Sequence, residues 1–200
     1  MNPYSGPWTA ATAAHLLRRT TYGASFAAIQ NSVNIGLSAT LSQLLTTNIP
    51  AEPLAHDPGE QIVSMGQSWV NAVYPSNVND NQLTEAARKK SLGAWLLQNI
   101  NAEQLNISQK MLFFWQNHFG LSPSGDSRAM YQFIHLLQQN ALGNIKTMIQ
   151  MVATDPCMLM FLNGSTNTVY SPNENFGREL LELFTIGKGP QLSVGDYSNY

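Results

Sequence analysis

The sequence predicts an all-α fold, an irregular bundle of about eight to ten helices with short connections and no significant sheet. Helix-capping residues recur from one end of the chain to the other, and apolar residues repeat at helical spacing between them. No segment shows the convincing alternation of apolar and polar residues that a half-buried strand would have. Short connections would place consecutive helices antiparallel to one another.

The first three helices are predicted from a Thr or Ser that can cap each of them. Such a side chain accepts a hydrogen bond from a free backbone N–H in the first turn. Glycine lies at or beyond the end of the first two helices and is expected to end them. The predicted helices cover 10–19 after Thr9, 26 to about 36 after Ser25, and 39–46 after Ser38.

A fourth helix is predicted from the motif Asp57-Pro58-Gly59-Glu60. The motif places an acid at the N-cap, proline at the first helical position and glutamate at the third, which is the pattern of a capping box. The helix would run to about Val73, because the residue before Pro75 is disfavoured in a helix.

The second half of the chain carries the same signals. Gly120 is expected to end one helix, and Asp155-Pro156 combines an N-cap with proline at the first helical position. Asn163-Gly164 predicts a turn. The predicted helices cover 80 to about 100, 108–119, from Ser124 or Asp126 to 141–143, 144–154, and 156 to about 161.

The domain organisation follows from length and from one irregular segment. At 200 residues the chain can bury one sizeable core, so residues 1–200 are expected to form a single helical domain or the N-terminal fragment of a longer one. The segment 49–57 contains Pro50 and Pro53 and no helical periodicity, which predicts a sub-boundary there. The residues after Gly187 have a loop-like composition without a closing helix, which favours the fragment.

Composition limits the function classes. Charged residues make up 11% of the chain and the net charge is −2, while 44% of the residues are hydrophobic. This balance predicts a folded protein and argues against nucleic-acid binding, which requires a basic surface. The two basic clusters, Arg18-Arg19 and Arg88-Lys89-Lys90, are interpreted as solvated helix faces.

The sequence also lacks the signals of disulfide-linked or cysteine–zinc proteins, of membrane-spanning proteins and of proteins that carry a secretory signal peptide. Cys157 is the single cysteine, so neither an internal disulfide nor a cysteine-based zinc site is predicted. No run of about 18 apolar residues predicts a membrane span. Residues 1–23 lack the apolar stretch of a secretory signal, so no signal peptide is predicted in this chain. The sequence specifies no oligomeric state.

The segment 171–184 is the most densely charged part of the chain. Ser171, Pro172 and Glu174 fit the N-cap, first and third positions of a capping box. At about 100° per residue, the segment separates into two faces. The apolar face contains Phe176, Gly177, Leu180, Leu181, Leu183 and Phe184, and the polar face contains Glu174, Asn175, Arg178, Glu179 and Glu182.

Two interpretations of the polar face remain open. A solvated amphipathic helix accounts for it through capping and through pairs that Arg178 makes with Glu174 and Glu182 at i,i+4 spacing. Alternatively, the face lines a cleft, where Glu179 and Glu182 would ligate a metal ion or act as acid and base. Arg178 would then bind a carboxylate or phosphate group. Carboxylates three positions apart project to the same side of a helix, as metal sites in helical bundles require.

The predicted helix 108–119 is apolar nearly all round, so we expect it to be buried. His118 and Asn117 both have apolar neighbours in this helix, and a buried polar side chain needs a partner. In one interpretation His118 hydrogen-bonds a backbone carbonyl or caps the helix end. In the other it meets the polar face of 171–184 as a metal ligand or proton shuttle.

Four segments with a common order and spacing resemble a single family. The segment 172–187 is the most specific of them, and the first of them is weak by itself. Together they resemble the N-terminal portion of the bacterial domain of unknown function 1800 family. The segments are Ala14-His15-Leu16-Leu17-Arg18-Arg19 with Tyr22-Gly23, Phe114-Trp115-Gln116-Asn117-His118-Phe119, Asn140-Ala141-Leu142-Gly143 with Asp155-Pro156-Cys157-Met158-Leu159, and 172–187.

The resemblance carries expectations of its own. It implies a longer bacterial protein, exported or periplasmic, often encoded beside a second uncharacterised protein and without an established reaction. It also favours a functional polar face, because the family signature retains its charged residues. Gln116, Gln138-Gln139 and Gly177 depart from the family, which commonly has His, a nearby Arg and Ala there. Gln116 weakens the metal-binding hypothesis, because Gln is a poor replacement for a histidine ligand.

The first functional hypothesis is an enzyme or a metal-binding protein. Its site would join His118 and Asn117 to Arg178, Glu179 and Glu182. Glu174 or His15 are further candidates for this site. A divalent metal would be the cofactor, and hydrolysis or redox chemistry at a carboxylate–histidine centre would be the reaction.

The second hypothesis is a non-enzymatic helical module that binds a partner protein or a cell-surface polymer. In this alternative the charged residues and their neighbours form a structural polar network that fixes helix register. The added members of that network are Asn117, Asn173, Glu174 and Asn175. The sequence does not decide whether the protein is an enzyme.

Overall fold

The computed structural model describes residues 4–102, 105–121 and 125–187; Ser124 and the predicted tail after Gly187 lie outside them. Eight α-helices, one short 3-10 helix and no β-strand lie within these ranges, which confirms the all-α prediction. The helices are α1 (Ala10–Thr20), α2 (Phe26–Leu44), α3 (Val78–Ala102), α4 (Ser108–Phe119), α5 (Ser127–Asn140), α6 (Ile145–Val152), α7 (Pro156–Phe161) and α8 (Glu174–Glu182), and the 3-10 helix is Gly164–Thr166.

Most of these helices begin at a side chain that accepts a backbone N–H from the first turn, which satisfies a donor that the helix leaves free. At the other end of α4, Gly120 adopts the left-handed conformation with φ 59°, as predicted for a helix-ending glycine. The capping residues are Thr9 for α1, Ser25 for α2, Asn77 for α3, Asp126 for α5, Asn144 for α6, Asp155 for α7 and Asn173 for α8.

The second and third predicted helices form one kinked element. Gly36 has φ 83° and ψ 167° inside α2, a conformation that glycine adopts without a steric penalty. Thr40 Oγ1 donates to the carbonyls of Gly36 at 2.8 Å and of Ser32 at 3.2 Å, close to the kink. The kinked α2 packs on α1, and the two form an N-terminal helix pair.

The helix predicted from residue 58 to about Val73 is wrong. Residues 45–77 contain no helix, so the connection between α2 and α3 is also much longer than predicted. Ala55 and Gln67 face each other across this connection. The Ala55 N–H donates to the Gln67 carbonyl and the Gly66 N–H donates to the Ala55 carbonyl, each at 2.8 Å. These backbone groups are therefore satisfied between distant residues rather than within a helix.

The side chains of the predicted capping box are used in other ways. Asp57 Oδ1 accepts the Gly59 N–H at 2.8 Å in a local turn, and Asp57 Oδ2 accepts from Lys90 on α3 at 2.8 Å. Glu60 pairs with the buried Arg88 of α3 at 2.7 Å. Acidic side chains compete with helix formation when such alternatives exist, and here the contacts with α3 decide the conformation.

The core is built around α5, which contacts α3, α4, α6 and α7. Trp69 and Val70 of the long connection add to it, so the non-helical segment is part of the packing. The segment 49–57, where a sub-boundary is predicted, contacts α3 through a hydrogen bond from Trp95 Nε1 to the Ala51 carbonyl at 2.7 Å. The largest fully buried apolar side chains of α4 to α7 are Phe119, Phe133, Leu112, Ile134, Leu137, Met148 and Met158.

The expectation that the helix 108–119 is buried is only half right. Leu112 and Phe119 lie in the core, whereas Phe113 and Phe114 on the other side of α4 are more than half exposed. Apolar side chains on all sides of a helix do not ensure burial: Phe113 is covered in part by the ring of Tyr22, and Phe114 by the rings of Trp115 and His118. Within the described ranges, no helix combines the length and the apolarity that crossing a membrane requires.

Candidate functional site

The start of α8 differs from the predicted capping box. Asn173 is the N-cap: its Oδ1 accepts the Phe176 N–H at 3.2 Å. The Asn173 Nδ2 group donates to the carbonyls of Leu162 and Asn163, both at 3.1 Å, which ties α8 to the end of α7. Ser171 pairs instead with Thr168 in the preceding turn. The Asn173 amide accepts one hydrogen bond and donates two, whereas a serine hydroxyl has a single hydrogen to donate.

Glu174 is consequently the first residue of α8 and not the third. Its side chain is exposed at the N-terminal end, where a negative charge is favourable because of the helix dipole. The reciprocal capping bond predicted for Glu174 does not apply at this position. Glu174 therefore has an electrostatic role in the first turn of α8.

The polar face of α8 is exposed at Glu174, Asn175 and Arg178 and partly buried at Glu179 and Glu182. Arg178 Nη2 donates to Asn175 Oδ1 in a short contact and to Glu179 Oε1 at 3.4 Å, both on its own helix. The Arg178 side chain is 41% exposed, so water screens this ion pair. Glu182 also has an interaction partner. The side chains of α8 that pack against the core are Phe176 and Leu180.

His118 contacts the end of this segment. His118 Nε2 lies 2.8 Å from the carbonyl oxygen of Phe184, and because a carbonyl only accepts, Nε2 carries the proton. The His118 ring packs edge-on against Trp115 and Phe119 and stacks on Phe114. His118 therefore does meet the segment 171–184, through a backbone carbonyl two residues beyond Glu182.

The remaining predicted members of the site lie apart from that contact. Asn117 is exposed and its Nδ2 donates to the Phe113 carbonyl one turn earlier, at 2.9 Å. His15 is exposed on α1 and lines a cavity between α1 and α2. Over residues 4–102, 105–121 and 125–187, no three His, Cys, Asp or Glu side chains lie close enough together to hold one metal ion.

A second charged cluster was missed by the sequence analysis. Its centre is Tyr74, whose ring has the guanidinium carbon of Arg88 4.5 Å from its centroid and that of Arg128 4.4 Å from it. Cations over an aromatic face are attracted by the negative charge of that face. The Tyr74 hydroxyl donates to Glu85 in a short contact and lies 3.3 Å from Asp126 Oδ1.

Arg88 is the buried anchor of this Tyr74 cluster. Its side chain is 0% exposed and that of Glu60 is 2% exposed. Arg88 donates to both Glu60 oxygens, at 2.7 and 3.2 Å, and to the carbonyls of Ala72 at 2.9 Å and Val73 at 3.3 Å. The interpretation of Arg88 as part of a solvated face is therefore wrong, although Lys89 and Lys90 are exposed as expected.

The other half of the Tyr74 cluster fixes the start of α5. Glu85 accepts the Ser127 hydroxyl at 2.8 Å and the Ser127 N–H at 3.0 Å. Asp126 caps α5 and pairs with Arg128 at 2.9 Å. The cluster thus connects the long connection, α3 and α5 through hydrogen bonds in which each charge has a partner of opposite sign or a polar donor.

The surroundings shift several pKa values in this cluster. Burial, together with the hydrogen bond to Glu85, raises the pKa of Tyr74 above its ordinary value, so its hydroxyl stays protonated. Burial opposes ionisation of Glu60, but the hydrogen bonds from Arg88 and from the Ile62 N–H outweigh it and lower the Glu60 pKa. Asp126 is also lowered in pKa, because hydrogen bonds from Arg128 outweigh its burial.

The position of Arg88 within α3 could have indicated that its side chain is buried. The buried positions of α3 include Thr84, Ala87, Arg88, Ser91, Leu92 and Trp95, which recur at helical spacing. Arg88 therefore lies on the inward face of α3, whereas Lys89 and Lys90 do not. A charged residue on the apolar face of a helix indicates a buried pair, because a buried charge without a partner is very costly.

Comparison with known proteins identifies the family. The family model described as "Protein of unknown function (DUF1800)" matches residues 15–200. No curated protein and no solved structure matches the chain. Apart from Ala14, the matched range contains all four segments on which the resemblance was based, and it covers far more than half of the chain. The protein therefore belongs to the DUF1800 family.

Proposed function

We propose that the chain is a protein-binding module and that α8, with the turn that follows it, forms the contact surface. The observation that carries the proposal is the incomplete burial of this helix: no residue of α8 is fully buried, although its sequence is strongly amphipathic. Leu181, Leu183 and Ile186 are 51%, 54% and 78% exposed. Single exposed apolar side chains are common on protein surfaces, but a group of large ones exposed close together marks an interaction site.

Backbone hydrogen bonds hold the turn after α8 against the last turn of the helix. The N–H groups of Ile186 and Gly187 both donate to the Leu181 carbonyl, at 2.9 and 3.2 Å, so the chain folds back over the end of α8. Such a turn places the residue after the helix beside the last helical turn. The backbones of Leu181 and Ile186 therefore lie next to each other. We call the exposed side chains of Leu181, Leu183 and Ile186 at this end of α8 the α8 surface.

The charges beside the α8 surface indicate the chemistry of its partner. Glu174, Glu179 and Glu182 bring three carboxylates to α8 against the single guanidinium of Arg178. A partner that contributes apolar side chains flanked by Lys or Arg would bury the leucines and complement this charge. A cationic and apolar protein segment fits better than an anionic surface polymer, which these carboxylates would repel.

The proposal can be tested without knowing the partner in advance, by selecting peptides from a random-sequence display library on the immobilised chain. The enriched peptides are expected to combine apolar and cationic residues and to bind the purified chain with saturation in calorimetry. In a Leu183→Glu/Ile186→Glu double variant, their affinity should fall by about tenfold or more.

Leu83→Glu/Leu97→Glu is the matched control, because these two leucines of α3 are exposed to a similar extent but lie outside the α8 surface. Circular dichroism must show native helix content for both double variants. Equal loss in the control, unchanged affinity in the α8 variant, or a library that yields no saturable binder would each overturn the proposal.

A second candidate function is a reaction or metal site at His118, Glu179 and Glu182, with Arg178 binding an anionic group. The hydrogen bond from His118 Nε2 to the Phe184 carbonyl favours it, because it leaves Nδ1 with the lone pair in the neutral ring. Histidines that bind metals typically donate their other N–H to a carbonyl or carboxylate in this manner. New side-chain rotamers of Glu179 and Glu182 would be needed to complete such a site.

Calorimetric titration with Zn²⁺ and with Mn²⁺ tests this second candidate. It predicts one bound ion per chain, with binding lost in His118→Ala and in Glu182→Gln. His56→Ala is the control, since His56 is exposed in the long connection. Binding that is lost in the control and retained in the other two variants would reject the site.

A further inference from the structure

Besides the α8 surface, a cavity between α1 and the part of α2 beyond the kink has the properties of a binding site. Its volume is about 520 Å³, within the range of roughly 300–1,000 Å³ typical of small-molecule sites. Trp8, Leu16, Leu37 and Leu41 give it an almost entirely apolar wall. This N-terminal cavity is formed by different elements from the α8 surface and is independent of the function proposed for that surface.

Hydrogen bonds hold the cavity open in its present shape. The Trp8 indole N–H donates to the Ser32 carbonyl at 2.9 Å, which fixes the ring that forms one wall. The kink at Gly36 is stabilised by Thr40, whose hydroxyl donates to the Gly36 carbonyl at 2.8 Å. Leu37 and Leu41 follow the kink and line the cavity opposite α1. The cavity is therefore a consequence of the bend in α2.

Cationic side chains continue along α1 from the cavity wall. His15 contributes to the wall, and Arg19 follows it at i+4, which places the two side chains on the same side of the helix. Arg18 and Arg19 are both exposed. Between residue 1 and Ala51 the sequence contains no Asp or Glu, so neither arginine has a carboxylate partner in this part of the chain.

We propose that the N-terminal cavity binds the hydrocarbon chain of a long-chain carboxylate, with the carboxylate group beside His15 and Arg19. The apolar wall suits an alkyl chain, since each buried CH₂ group contributes favourably to binding. The arginines beyond His15 select an anionic head group over a neutral or a cationic one. An apolar cavity with positive charge at one side is the complement of an anionic amphiphile.

Calorimetric titration with decanoate and dodecanoate, each below its micelle concentration, tests the proposal directly. One molecule is expected to bind per chain, and each added CH₂ should strengthen binding by about fourfold. Dodecyltrimethylammonium has the same tail with the opposite charge. It should bind at least about fivefold more weakly than dodecanoate, because the arginines repel it.

Two variants and their controls locate the site. Leu41→Asp should abolish dodecanoate binding, whereas Leu45→Asp should leave it unchanged, because Leu45 is exposed outside the cavity wall. Arg19→Glu should weaken dodecanoate binding by about fivefold and strengthen binding of the cationic amphiphile. Lys89→Glu reverses the same charge at an exposed position on α3 outside the cavity wall, so it should leave dodecanoate binding unchanged. Arg19 and Lys89 are exposed, so these two variants keep the test decisive if Leu41→Asp fails to fold.

Three results would overturn the proposal. Equal affinity for the two amphiphiles in both the wild type and Arg19→Glu would mean that the head group is not recognised. Unchanged binding in Leu41→Asp would place the ligand outside the cavity. Adsorption to vesicles of phosphatidylcholine and phosphatidylglycerol, without stoichiometric binding of dodecanoate, would identify a membrane-surface contact instead.

Discussion

The Tyr74 cluster and the polar face of α8 contain the same kinds of groups in opposite environments. Arg88 and Glu60 are almost completely buried, whereas Arg178 is 41% exposed and contacts its neighbours on the same helix. The residues of α8 adjoin in sequence, but those of the Tyr74 cluster are spread over three elements. Charge density in the sequence therefore did not indicate where charges are energetically important; burial did.

The difference follows from solvation. An exposed ion pair contributes about 0–1 kcal/mol, because water screens it and the side chains lose rotational freedom. In a buried pair each charge has lost its hydration, so removal of one partner leaves the other uncompensated, at a cost of about 3–5 kcal/mol. Substitutions in the Tyr74 cluster should therefore affect stability more than those on α8.

The largest effect is expected for Arg88→Met, which removes the buried positive charge that pairs with the Glu60 carboxylate. It also leaves the Ala72 carbonyl with Arg128 as its remaining side-chain donor. The free energy of unfolding should fall by about 3–5 kcal/mol in urea denaturation. Lys89→Met is the control, because Lys89 is an exposed neighbour on α3 and should change stability by less than about 0.5 kcal/mol. If Arg88→Met does not fold, Glu60→Gln provides a milder version. Similar values for the substitutions at positions 88 and 89 would contradict the comparison.

Tyr74→Phe should have the next largest effect. It keeps the ring between Arg88 and Arg128 but removes the hydroxyl that bonds Glu85 and Asp126. A loss of about 1–3 kcal/mol is expected, because the partly buried Glu85 carboxylate loses a donor. Thermal or urea unfolding measures it, with the fully exposed Tyr170→Phe as the control. No difference between the two tyrosine variants would mean that the hydroxyl contributes nothing.

The Tyr74 cluster should also make the protein sensitive to acid. The folded-state pKa values of Glu60 and Asp126 lie below their ordinary values. Their stabilisation is complete above the unfolded pKa values, about 4, and is lost as the pH falls through the folded values. Asp155 has the opposite effect on the pH dependence of stability, because burial raises its folded-state pKa. Urea unfolding should show that the free energy of unfolding decreases from pH 7 to pH 3. This decrease should be smaller in Glu60→Gln.

The smallest effect is expected on α8. Glu179→Gln and Arg178→Ala should each change the free energy of unfolding by less than about 0.5 kcal/mol, because both side chains reach solvent, at 26% and 41% exposure, and water screens the pair. If the charged residues instead formed the structural polar network of the second sequence hypothesis, Glu179→Gln would lower stability. A loss above about 2 kcal/mol in urea denaturation would support that alternative and contradict the exposed geometry of α8.

Local signals predicted the helices well where capping involves neighbouring residues. Gly120 ends α4 and Asp155 caps α7 as expected, because such contacts span only a few residues. The same signals failed at Asp57 and Ser171, where the side chain or backbone found another partner. A capping motif predicts a helix start only if no competing contact is stronger.

The candidate site could be predicted in part. The sequence singled out His118 and the segment 171–184, and the two do touch, through the Phe184 carbonyl. It could not predict how far each polar side chain of α8 is exposed to water, because that depends on which segments cover α8. It also could not find the Tyr74 cluster, whose members, from Glu60 to Arg128, come together only in the folded chain.

By itself, the sequence determined the helical class, most helix ends and the family, because periodicity, caps and motifs are properties of neighbouring residues. The tertiary structure alone decided which charges are buried, which apolar side chains of α8 stay exposed, and that the bend at Gly36 forms a cavity beside α1. Burial depends on contacts between segments far apart in the chain. Its cost for a charge, several kcal/mol, exceeds the local preferences of any single motif.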